Sequence, residues 1–440
     1  MSTLSPNLAL RRRLEQAFRA SLSAVDPTAR VRQALARPQV AALLQRRPLV
    51  VAAVGKVAVP MARAVAALVP DAGLVVTTDP GEAAGLPVIV GDHPTPGAAS
   101  VEAGRALWAL AASLPANGVL LALVSGGASA LAEVPADGLE LSDLVGAVRA
   151  LMLRGAPIGD INAVRRGLSG LKGGRLALAC AAPVVTIAIS DVVGDDVDII
   201  GSGPTVGPWT NGEGRTPEPV IDLAVHESGL RARARDVARR HFARGGIPEA
   251  AEAQLSTQVL ARGVVRRDAD IVVLAAGLAT LRRAAAQAVR AAGLEPIVMP
   301  QDLVGDVDEV AGRIVNAAER IGRGQVLIGG GEPTIALPAQ PGWGGRAQHL
   351  ALLLSRRWIG RPERAALVVG SDGVDGPGPN APAGAFIDGT TWDAIYARNV
   401  DPVIAIERFD AGTALAAAGA LVVTGPTGVN HADLVMVAHP

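Results

Sequence analysis

The chain has 440 residues, of which half are hydrophobic and 19% are charged, so the composition excludes an intrinsically disordered protein. This length exceeds what one ordinary hydrophobic core contains, and we therefore expect two domains. The 41 basic and 41 acidic residues balance, which argues against nucleic acid or a membrane surface as a partner. The single cysteine, Cys180, excludes an intrachain disulfide framework and any multi-cysteine metal site. We expect a cytoplasmic protein, because the sequence shows neither a signal-peptide pattern nor an uninterrupted apolar segment of transmembrane length.

Apolar runs that are typical of buried strands alternate with helical patterns in the first half of the chain. This alternation predicts a parallel, layered α/β sheet. The predicted strands lie at 49–54, 74–78, 87–90, 119–124 and 184–189, and the predicted helices at 57–69, 101–112 and 139–153.

A second α/β pattern begins with a predicted strand at 271–275 and a helix at 278–292. We place the domain boundary near residue 265, which gives an N-terminal domain of residues 1–265 and a smaller C-terminal domain of residues 266–440. Further strands are predicted at 296–299, 325–328, 366–369 and 421–423.

The strand at 184–189 leads directly into an acidic, glycine-rich segment, residues 190–205. Ligands of open α/β sheets bind at the carboxyl ends of strands, and clustered carboxylates suit Mg²⁺. The glycines would expose backbone N–H groups to phosphate. Taken alone, the segment fits an acidic surface loop with a helix cap equally well. The candidates for a functional role are Asp191, nearest to the strand, and then Asp195, whereas Asp196 and Asp198 fit capping or solvent-facing positions better.

Two glycine turns follow predicted strands and open helices. Gly55-Lys56 could meet a phosphate or carboxylate at a helix N-terminus, although a solvated lysine explains it as well. It is not a Walker A loop, because Val57 stands where a hydroxyl would hold Mg²⁺. The second turn could bind an anion through its amides and hydroxyls, or be a plain tight turn. Its candidate ligands are Ser125, Gly126, Gly127 and Ser129.

A donor-rich helical face forms a further candidate site. Asn162, Arg165, Ser169 and Lys172 are spaced by 3, 4 and 3 residues, and a Gly173-Gly174 turn follows them. Since the face offers cations, an amide and a hydroxyl without an acid, it suits a polyanion or carboxylate ligand. A solvated helix face is the alternative.

The second half of the chain carries four glycine-rich polar turns, most of them at strand ends, which suggests an active-site rim. They span 329–334, 342–346, 370–376 and 424–433. The six histidines show no zinc-binding spacing, and no Gly-x-Gly-x-x-Gly motif opens a helix after a strand.

Together these motifs resemble the glycerate 2-kinase family, whose C-terminal domain is named MOFRL and some of whose members carry the older name hydroxypyruvate reductase. The resemblance runs from about residue 49 to residue 437, with the motifs in the family's order. They are Val54-Gly-Lys-Val-Ala, Asp92-His-Pro-Thr-Pro, Ser125-Gly-Gly-Ala-Ser-Ala, Ile161-Asn-Ala-Val-Arg-Arg, Leu171-Lys-Gly-Gly-Arg, Ser190-Asp-Val-Val-Gly-Asp-Asp, Gly201-Ser-Gly-Pro-Thr, Gly330-Gly-Glu, Gly344-Gly-Arg, Asp372-Gly-Val-Asp-Gly and Gly425-Pro-Thr-Gly.

The resemblance implies a Rossmann-like N-terminal α/β/α domain, a smaller MOFRL-type α/β domain, and ATP- and Mg²⁺-dependent phosphorylation of the 2-hydroxyl of D-glycerate or a related hydroxy acid. It implies that either Asp191 or Asp372 holds Mg²⁺, and that the other carboxylate or Glu332 orients the 2-hydroxyl. The donor-rich helical face and the Ser125–Ser129 turn, with Gly173 and Asp195, would hold nucleotide phosphates or the substrate carboxylate. The residues at the family's active-site positions are Lys56, Asp191, Glu332, Arg346, Asp372 and Asn430.

Besides Ser371, His431 and a longer, proline-rich loop after Asp375, three further positions depart from the family pattern. Ala347 and His349 replace an amide and a carboxylate, and Val429 replaces a threonine. Either a remodelled substrate pocket or drift in supporting positions explains them. Two alternatives therefore stay open: an NAD(P)H-dependent hydroxypyruvate reductase, and a catalytically altered sugar-acid-binding homologue. The sequence does not fix the oligomeric state and leaves a homodimer open.

Overall fold

The computed structural model describes residues 6–212, 217–242, 246–259 and 263–439. The chain divides into two compact units. The N-terminal unit consists of Pro27–Ser190 and the described part of Asp195–Ala275. The C-terminal unit consists of the described residues up to Asp26, the short segment Asp191–Gly194, and the residues from Ala276 onward.

The described residues form helices at the following positions in chain order: α1 (Pro6–Ala24), α2 (Pro27–Leu35), α3 (Pro38–Leu43), α4 (Ala58–Arg63), α5 (Ala98–Ala112), α6 (Ala128–Leu131), α7 (Leu141–Leu153), α8 (Ile158–Leu168), α9 (Arg175–Ala179), α10 (Leu223–His241), α11 (Glu249–Ser256), α12 (Leu278–Ala291), α13 (Val307–Ala318), α14 (Arg346–Arg357), α15 (Thr391–Tyr396), α16 (Pro402–Glu407) and α17 (Ala411–Ala417). Short 3-10 helices lie at Ala66–Leu68 and Ile200–Ser202. No helix among the described residues combines the length and the hydropathy that crossing a membrane requires.

The strands in the same order are β1 (Leu49–Val54), β2 (Ala72–Thr77), β3 (Val88–Val90), β4 (Val119–Ser125), β5 (Val184–Ile189), β6 (Val220–Asp222), β7 (Val264–Arg266), β8 (Ile271–Ala276), β9 (Glu295–Val298), β10 (Gly305–Asp306), β11 (Gln325–Gly331), β12 (Pro333–Thr334), β13 (Ala365–Gly370), β14 (Gly384–Asp388), β15 (Leu421–Val422) and β16 (Asp433–Ala438).

The N-terminal unit is built on a six-stranded sheet in the order β3-β2-β1-β4-β5-β8. β1 pairs in parallel with β2 and β4, β2 with β3, and β4 with β5. Every residue of β1, β4 and β5 is buried, as expected for parallel strands that are covered on both faces and are almost entirely apolar. The strand order confirms the predicted Rossmann-like fold, with a topological switch point between β1 and β4.

The sheet of the N-terminal unit also contains β8, which the sequence pattern groups with the second domain. Asp270, just before this strand, accepts hydrogen bonds from the backbone N–H of Val184 in β5 and from Trp209 Nε1, at 2.9 and 3.0 Å. Periodicity alone predicts that a strand exists, but not which sheet it joins, since pairing depends on contacts distant in sequence.

The C-terminal unit contains a mixed sheet in the order β15-β14-β13-β16-β11-β9. β9 and β11 are parallel, whereas β16 runs antiparallel to both of its neighbours, β11 and β13. Helix α14 packs on β13 and β14, and most of its residues are buried. This arrangement confirms a second α/β domain.

Helix α1 belongs to the C-terminal unit, although it opens the chain. It packs on α12, and the guanidinium group of Arg11 donates to the carbonyl oxygens of Gly419 and Leu421 at 2.8 and 2.7 Å. The compact units therefore differ from the predicted domains in this helix and in the segment Asp191–Gly194, whereas the division at Ala275–Ala276 lies near the predicted boundary at about residue 265. The physical reason is that apolar periodicity shows that α1 has a face to bury, but not what covers it.

Candidate active site

The carboxyl ends of β1 and β4 lie side by side at the switch point of the first sheet. The N–H of Lys56 donates to the carbonyl oxygen of Gly126 at 2.8 Å, and the N–H of Val57 donates to Ser125 Oγ at 3.3 Å. The two glycine turns that the sequence suggests separately are thus one hydrogen-bonded structure. Ligands of doubly wound folds bind at this position.

The close approach of these two turns requires glycine. A Cβ at Gly55, whose φ is +134°, would lie 2.7 Å from the carbonyl oxygen of Ser125. A Cβ at Gly127, whose φ is +82°, would lie 3.0 Å from Lys56 Cγ and 3.4 Å from His93 Cδ2. The exposed Lys56 side chain therefore lies across bare backbone, beside His93. Burial, and then the positive charge of Lys56, lower the pKa of His93.

Ser129 continues from this turn into a chain of hydrogen bonds. Its hydroxyl lies 2.8 Å from that of Ser202, and Ser202 Oγ donates to Asn162 Oδ1 at 2.8 Å. Arg165 donates to the same Asn162 oxygen at 2.9 Å. Asn162 and Arg165 are both buried, so the structure brings them to the back of the turn that holds Ser129.

The predicted donor-rich helical face ends earlier than its spacing suggests. α8 stops at Leu168, because Ser169 is extended (φ −98°, ψ 141°). Ser169 Oγ accepts from the N–H groups of Leu171 and Lys172 at 3.1 Å, and it donates to Glu133 Oε1 at 2.5 Å. Ser169 and Lys172 therefore lie in a turn and not on the helix.

Lys172 is buried and paired, with 1% of its side chain exposed. Its ammonium group donates to the carbonyl oxygen of Ala132 at 2.5 Å and lies 3.5 Å from Glu133 Oε2. Burial lowers the pKa of Lys172, while the Glu133 carboxylate opposes that effect. Glu133 was not predicted as part of this cluster, and its only signal in the sequence is that it is the lone charged residue in the otherwise uncharged segment 128–136.

The backbone N–H groups of the turn after Lys172 are also hydrogen-bonded within the protein. The N–H groups of Gly173 and Gly174 donate to the carbonyl oxygens of Ser202 and Gly203, at 3.1 and 2.7 Å. Both glycines have positive φ, of +63° and +83°. The N–H of Gly173 thus supports the neighbouring turn at Ser202.

The acidic segment after β5 splits between the two compact units. Ser190 belongs to the N-terminal unit, while Asp191–Gly194 groups with the C-terminal unit. Asp195 is half-buried and has a φ of +53°. Asp196 Oδ1 accepts from the N–H of Asp198 at 2.9 Å, which is a capping contact. Asp191 and Asp195 stay candidates, and Asp196 plays a local structural role.

The C-terminal unit concentrates charge at one edge of its sheet. Glu332 follows β11, Asp372 follows β13, and Arg346 is the first residue of α14. Arg346 donates to Glu332 Oε1 at 2.5 Å, and its Nε lies 3.5 Å from Asp433 Oδ2. Burial would lower the pKa of Arg346, but Asp433 and Glu332 outweigh it and raise the pKa.

Asp433 and Asp375 are buried acids at this edge, and neither was predicted as a site residue. Burial raises the pKa of Asp433 to about 7, and the charges of Asp375, Glu332 and Asp372 add to the shift. Arg346 opposes it. Asp375 caps α14, since its carboxylate accepts from the N–H groups of Ala347 and Gln348 at 3.0 and 2.7 Å. Burial raises the pKa of Asp375 as well.

Two loops of the C-terminal unit are bonded to one another. The N–H of Thr427 donates to the carbonyl oxygen of Asp372 at 3.0 Å, and the N–H of His431 donates to Ser371 Oγ at 2.7 Å. Asp372 is exposed, and its Oδ1 accepts from the N–H of Val374 at 3.1 Å. Asn430 is half-buried in the second loop. The structure thus places Asp372 and Asn430 on linked loops.

The three departures from the family pattern occupy buried positions. Ala347 is fully buried in the hydrophobic core of the C-terminal unit. His349 stacks on Phe409 with ring centroids 4.7 Å apart, and burial lowers its pKa. Val429 is buried beside Thr427, to which its N–H donates at 3.2 Å. These contacts favour packing roles over contact with a substrate.

A large cavity of the N-terminal unit lies apart from Lys56. It measures about 880 Å³, and its charged lining includes Arg175, Glu227 and Arg231. Glu227 pairs with Arg175 at 2.7 Å and lies 3.4 Å from Arg231. The single Glu227 carboxylate thus offsets only part of the charge of these two arginines, and the sequence motifs predict no ligand site in this cavity.

The acidic residues could supply only some of the ligands of a magnesium ion. Within the described ranges, no group of three or more His, Cys, Asp or Glu side chains could hold a metal ion by itself. Mg²⁺ usually takes one or two carboxylates together with substrate phosphates and water. The exposed Asp372, which follows the end of β13, is suited to be one such carboxylate ligand.

Comparisons with known proteins agree with this architecture. Two family models match: "Domain of unknown function (DUF4147)" over residues 13–216 and "MOFRL family" over residues 325–433. Glycerate 2-kinase from Pyrococcus horikoshii is 31% identical over 88% of this chain and 86% of its own length. An Agrobacterium vitis protein named "Putative hydroxypyruvate reductase" is 36% identical over 88% of this chain and 97% of its own. The crystal structure of glycerate kinase from Thermotoga maritima matches with a TM-score of 0.82 at 27% identity, covering 98% of this chain and 100% of that one.

A Rossmann-type sheet and a MOFRL domain joined in one chain are the architecture of a two-domain small-molecule kinase. The chain belongs to the glycerate 2-kinase family, which confirms the family that its motifs predict.

Proposed function

We propose that this protein transfers the γ-phosphoryl group of ATP to the 2-hydroxyl of D-glycerate, or of a closely related small hydroxy acid, to give 2-phosphoglycerate or its analogue. The observation that carries the proposal is the exposed Lys56, which lies across the Gly126-Gly127 turn at the switch point of a doubly wound sheet. In a member of the glycerate 2-kinase family, a cation over bare backbone at this position suits a phosphoryl group.

Phosphoryl transfer depends on positioning and charge neutralisation more than on covalent chemistry. The Lys56 ammonium group would neutralise and orient phosphate oxygens beside the Gly126-Gly127 turn. Arg346 would offset charge on the phosphoryl group or on the glycerate carboxylate. Glu332 or Asp372 would accept the proton of the 2-hydroxyl.

Asp191 and Asp372 are the proposed carboxylate ligands of magnesium. When bound, Mg²⁺ supplies charge neutralisation to phosphate oxygens. Gly127 is proposed to contact phosphate directly, and the buried Ser125 and Gly126 are proposed to shape the turn beneath it. Behind them, Ser129, Asn162, Arg165, Lys172 and Gly173 form the hydrogen-bonded support of the turn.

A coupled assay tests the reaction. Purified protein with MgATP and D-glycerate should release ADP, and ³¹P NMR should identify the 2-phosphate ester. Glycolate, D-lactate, L-glycerate and tartronate define the acceptor range. Hydroxypyruvate with NADH tests the reductase alternative, which the single glycine of the turn after β1 disfavours. Absence of ADP above background with every acceptor would refute the proposal.

The composition permits a site-specific test of Lys56. The chain contains only two lysines, Lys56 and Lys172, and Lys172 is buried. An amine-reactive reagent read out by mass spectrometry should therefore label Lys56 and the terminal amine, and MgATP should protect only Lys56.

Lys56→Ala should lower kcat by about a hundredfold to a thousandfold, because it removes a cation from the developing charge. The matched control is Arg63→Ala, which removes an exposed cation at the end of α4, the short helix that follows Lys56. Labelling of Lys56 that MgATP leaves unchanged, together with normal turnover by Lys56→Ala, would exclude Lys56 from the site.

A further inference from the structure

Asp433 lies among candidate groups because of strand direction. β16 begins at Asp433 and runs antiparallel to β11 and β13, with Asp433 in register with Gly331 and Gly370. The start of β16 therefore lies at the edge of the sheet where its two neighbours end. A Cβ at Gly370 would lie 3.0 Å from Asp372 Oδ1 and 3.6 Å from Asp433 Oδ1, so both carboxylates border this glycine.

Arg346 is held by two carboxylates in very different environments. Glu332 accepts a hydrogen bond from it at 2.5 Å, but 46% of the Glu332 side chain is exposed. Only 7% of the Asp433 side chain is exposed. An exposed ion pair holds a guanidinium group weakly, whereas a buried carboxylate acts through little solvent screening.

The buried carboxylate has an unused acceptor. Asp433 Oδ2 has no hydrogen-bond partner among the described residues, and its nearest cation is Arg346 Nε at 3.5 Å. Leaving a buried carboxyl oxygen without a hydrogen-bond partner is costly, so its persistence calls for an explanation. The backbone of Arg346 is fixed independently, because Asp375 caps the helix that Arg346 begins.

We propose that Asp433 is a positioning residue, which fixes the guanidinium group of Arg346 from the buried side so that its outer face meets the anionic substrate. This inference rests on the proposed phosphoryl transfer. Asp375 sets the start of the helix, Asp433 sets the side chain, and Glu332 contacts the solvent side of the same group.

The test compares Asp433→Asn with a matched control in the same unit. Glu319→Gln removes the carboxylate of an exposed pair with Arg361, whose side chains are 44% and 39% exposed. Asp433→Asn should lower kcat/KM for D-glycerate at least about thirtyfold, which corresponds to about 2 kcal/mol. Glu319→Gln should leave kcat/KM unchanged.

A double-mutant cycle separates positioning from a structural role. If Asp433 acts through Arg346, adding Asp433→Asn to the Arg346→Lys variant should lower kcat/KM by less than about threefold, because Arg346→Lys has already removed the shared interaction. If Asp433 is only structural, Asp433→Asn should lower kcat/KM by the same factor in the wild-type protein and in the Arg346→Lys variant. Urea denaturation checks that each variant folds, and Asp433→Ser repeats the comparison if the asparagine variant does not.

The outcomes are distinct. A wild-type protein that forms no phosphorylated acceptor refutes the proposed function, and this inference with it. A wild-type protein that turns over, with a folded Asp433→Asn variant within about threefold of it or with additive losses in the cycle, overturns the positioning role alone.

Discussion

Removing Glu133 should unfold the N-terminal unit more readily than any exposed charge change in it. Glu133 is fully buried, and it accepts from Ser169 Oγ at 2.5 Å and from the N–H of Val134 at 3.0 Å. Its other oxygen lies 3.5 Å from the buried Lys172 ammonium group. Glu133→Ala would leave Lys172 without its buried counter-charge.

Breaking a buried ion pair by removing one partner costs about 3–5 kcal/mol. For a domain of this size, that corresponds to a fall of about 10 °C in the melting temperature, measurable by calorimetry. Replacing both partners, as Glu133→Leu with Lys172→Met, should recover at least half of the loss, because an apolar pair needs no counter-charge. Asp268→Asn, which opens an exposed pair with Arg266, is the control and should leave the melting temperature unchanged. A melting temperature for Glu133→Ala within about 2 °C of wild type would refute the reasoning.

Asp375→Ala removes the cap of α14 and should cost about 1–2 kcal/mol in urea denaturation and reduce turnover, because Arg346 begins that helix. Asp306→Ala, which removes the cap of α13, should lose stability without losing turnover. Asp270→Ala leaves the buried Arg267 without its carboxylate partner and should lower the free energy of unfolding by about 3–5 kcal/mol. It should also alter the fluorescence emission of Trp209, whose Nε1 donates to Asp270. An unchanged unfolding midpoint would contradict this prediction. Because the folded-state pKa of Asp433 is about 7, above the usual 3.8, its stabilising contribution is full at low pH and is lost as pH rises through 7. Between pH 5.5 and 8.5 the loss should be about 2 kcal/mol, and Asp433→Asn should abolish it in denaturation curves at the two pH values.

The strands that the sequence locates best are those with the simplest environment. The predicted runs at 49–54 and 184–189 coincide with β1 and β5, because short, almost continuous apolar runs rich in β-branched residues are typical of strands covered on both faces. The partner of β8 and the covering of α1 could not be predicted, since both depend on contacts distant in sequence.

The candidate site was partly visible in the sequence for a similar reason. Turns that follow parallel strands meet at one edge, so Lys56 and the Gly126-Gly127 turn could be linked by position alone. Asp433 could not be linked to this edge in the same way, because it stands at the start of an antiparallel strand and lies far from Glu332 in the sequence. Glu133 could not be identified from the sequence, because only its burial distinguishes it from an acid on the surface.

The two lysines of the chain show how the same side chain takes opposite roles in one unit. An ammonium group is a compact point charge on a flexible stem, whereas a guanidinium group is a wide planar fork. Lys172 fits a buried space between a carbonyl oxygen and the Glu133 carboxylate. Lys56 crosses the turn at a point where even a Cβ on Gly127 would lie 3.0 Å from its stem. In a chain whose other Lys or Arg residues are all arginines, Lys172 closes an ion pair inside the unit, and Lys56 is proposed to meet an anion outside it.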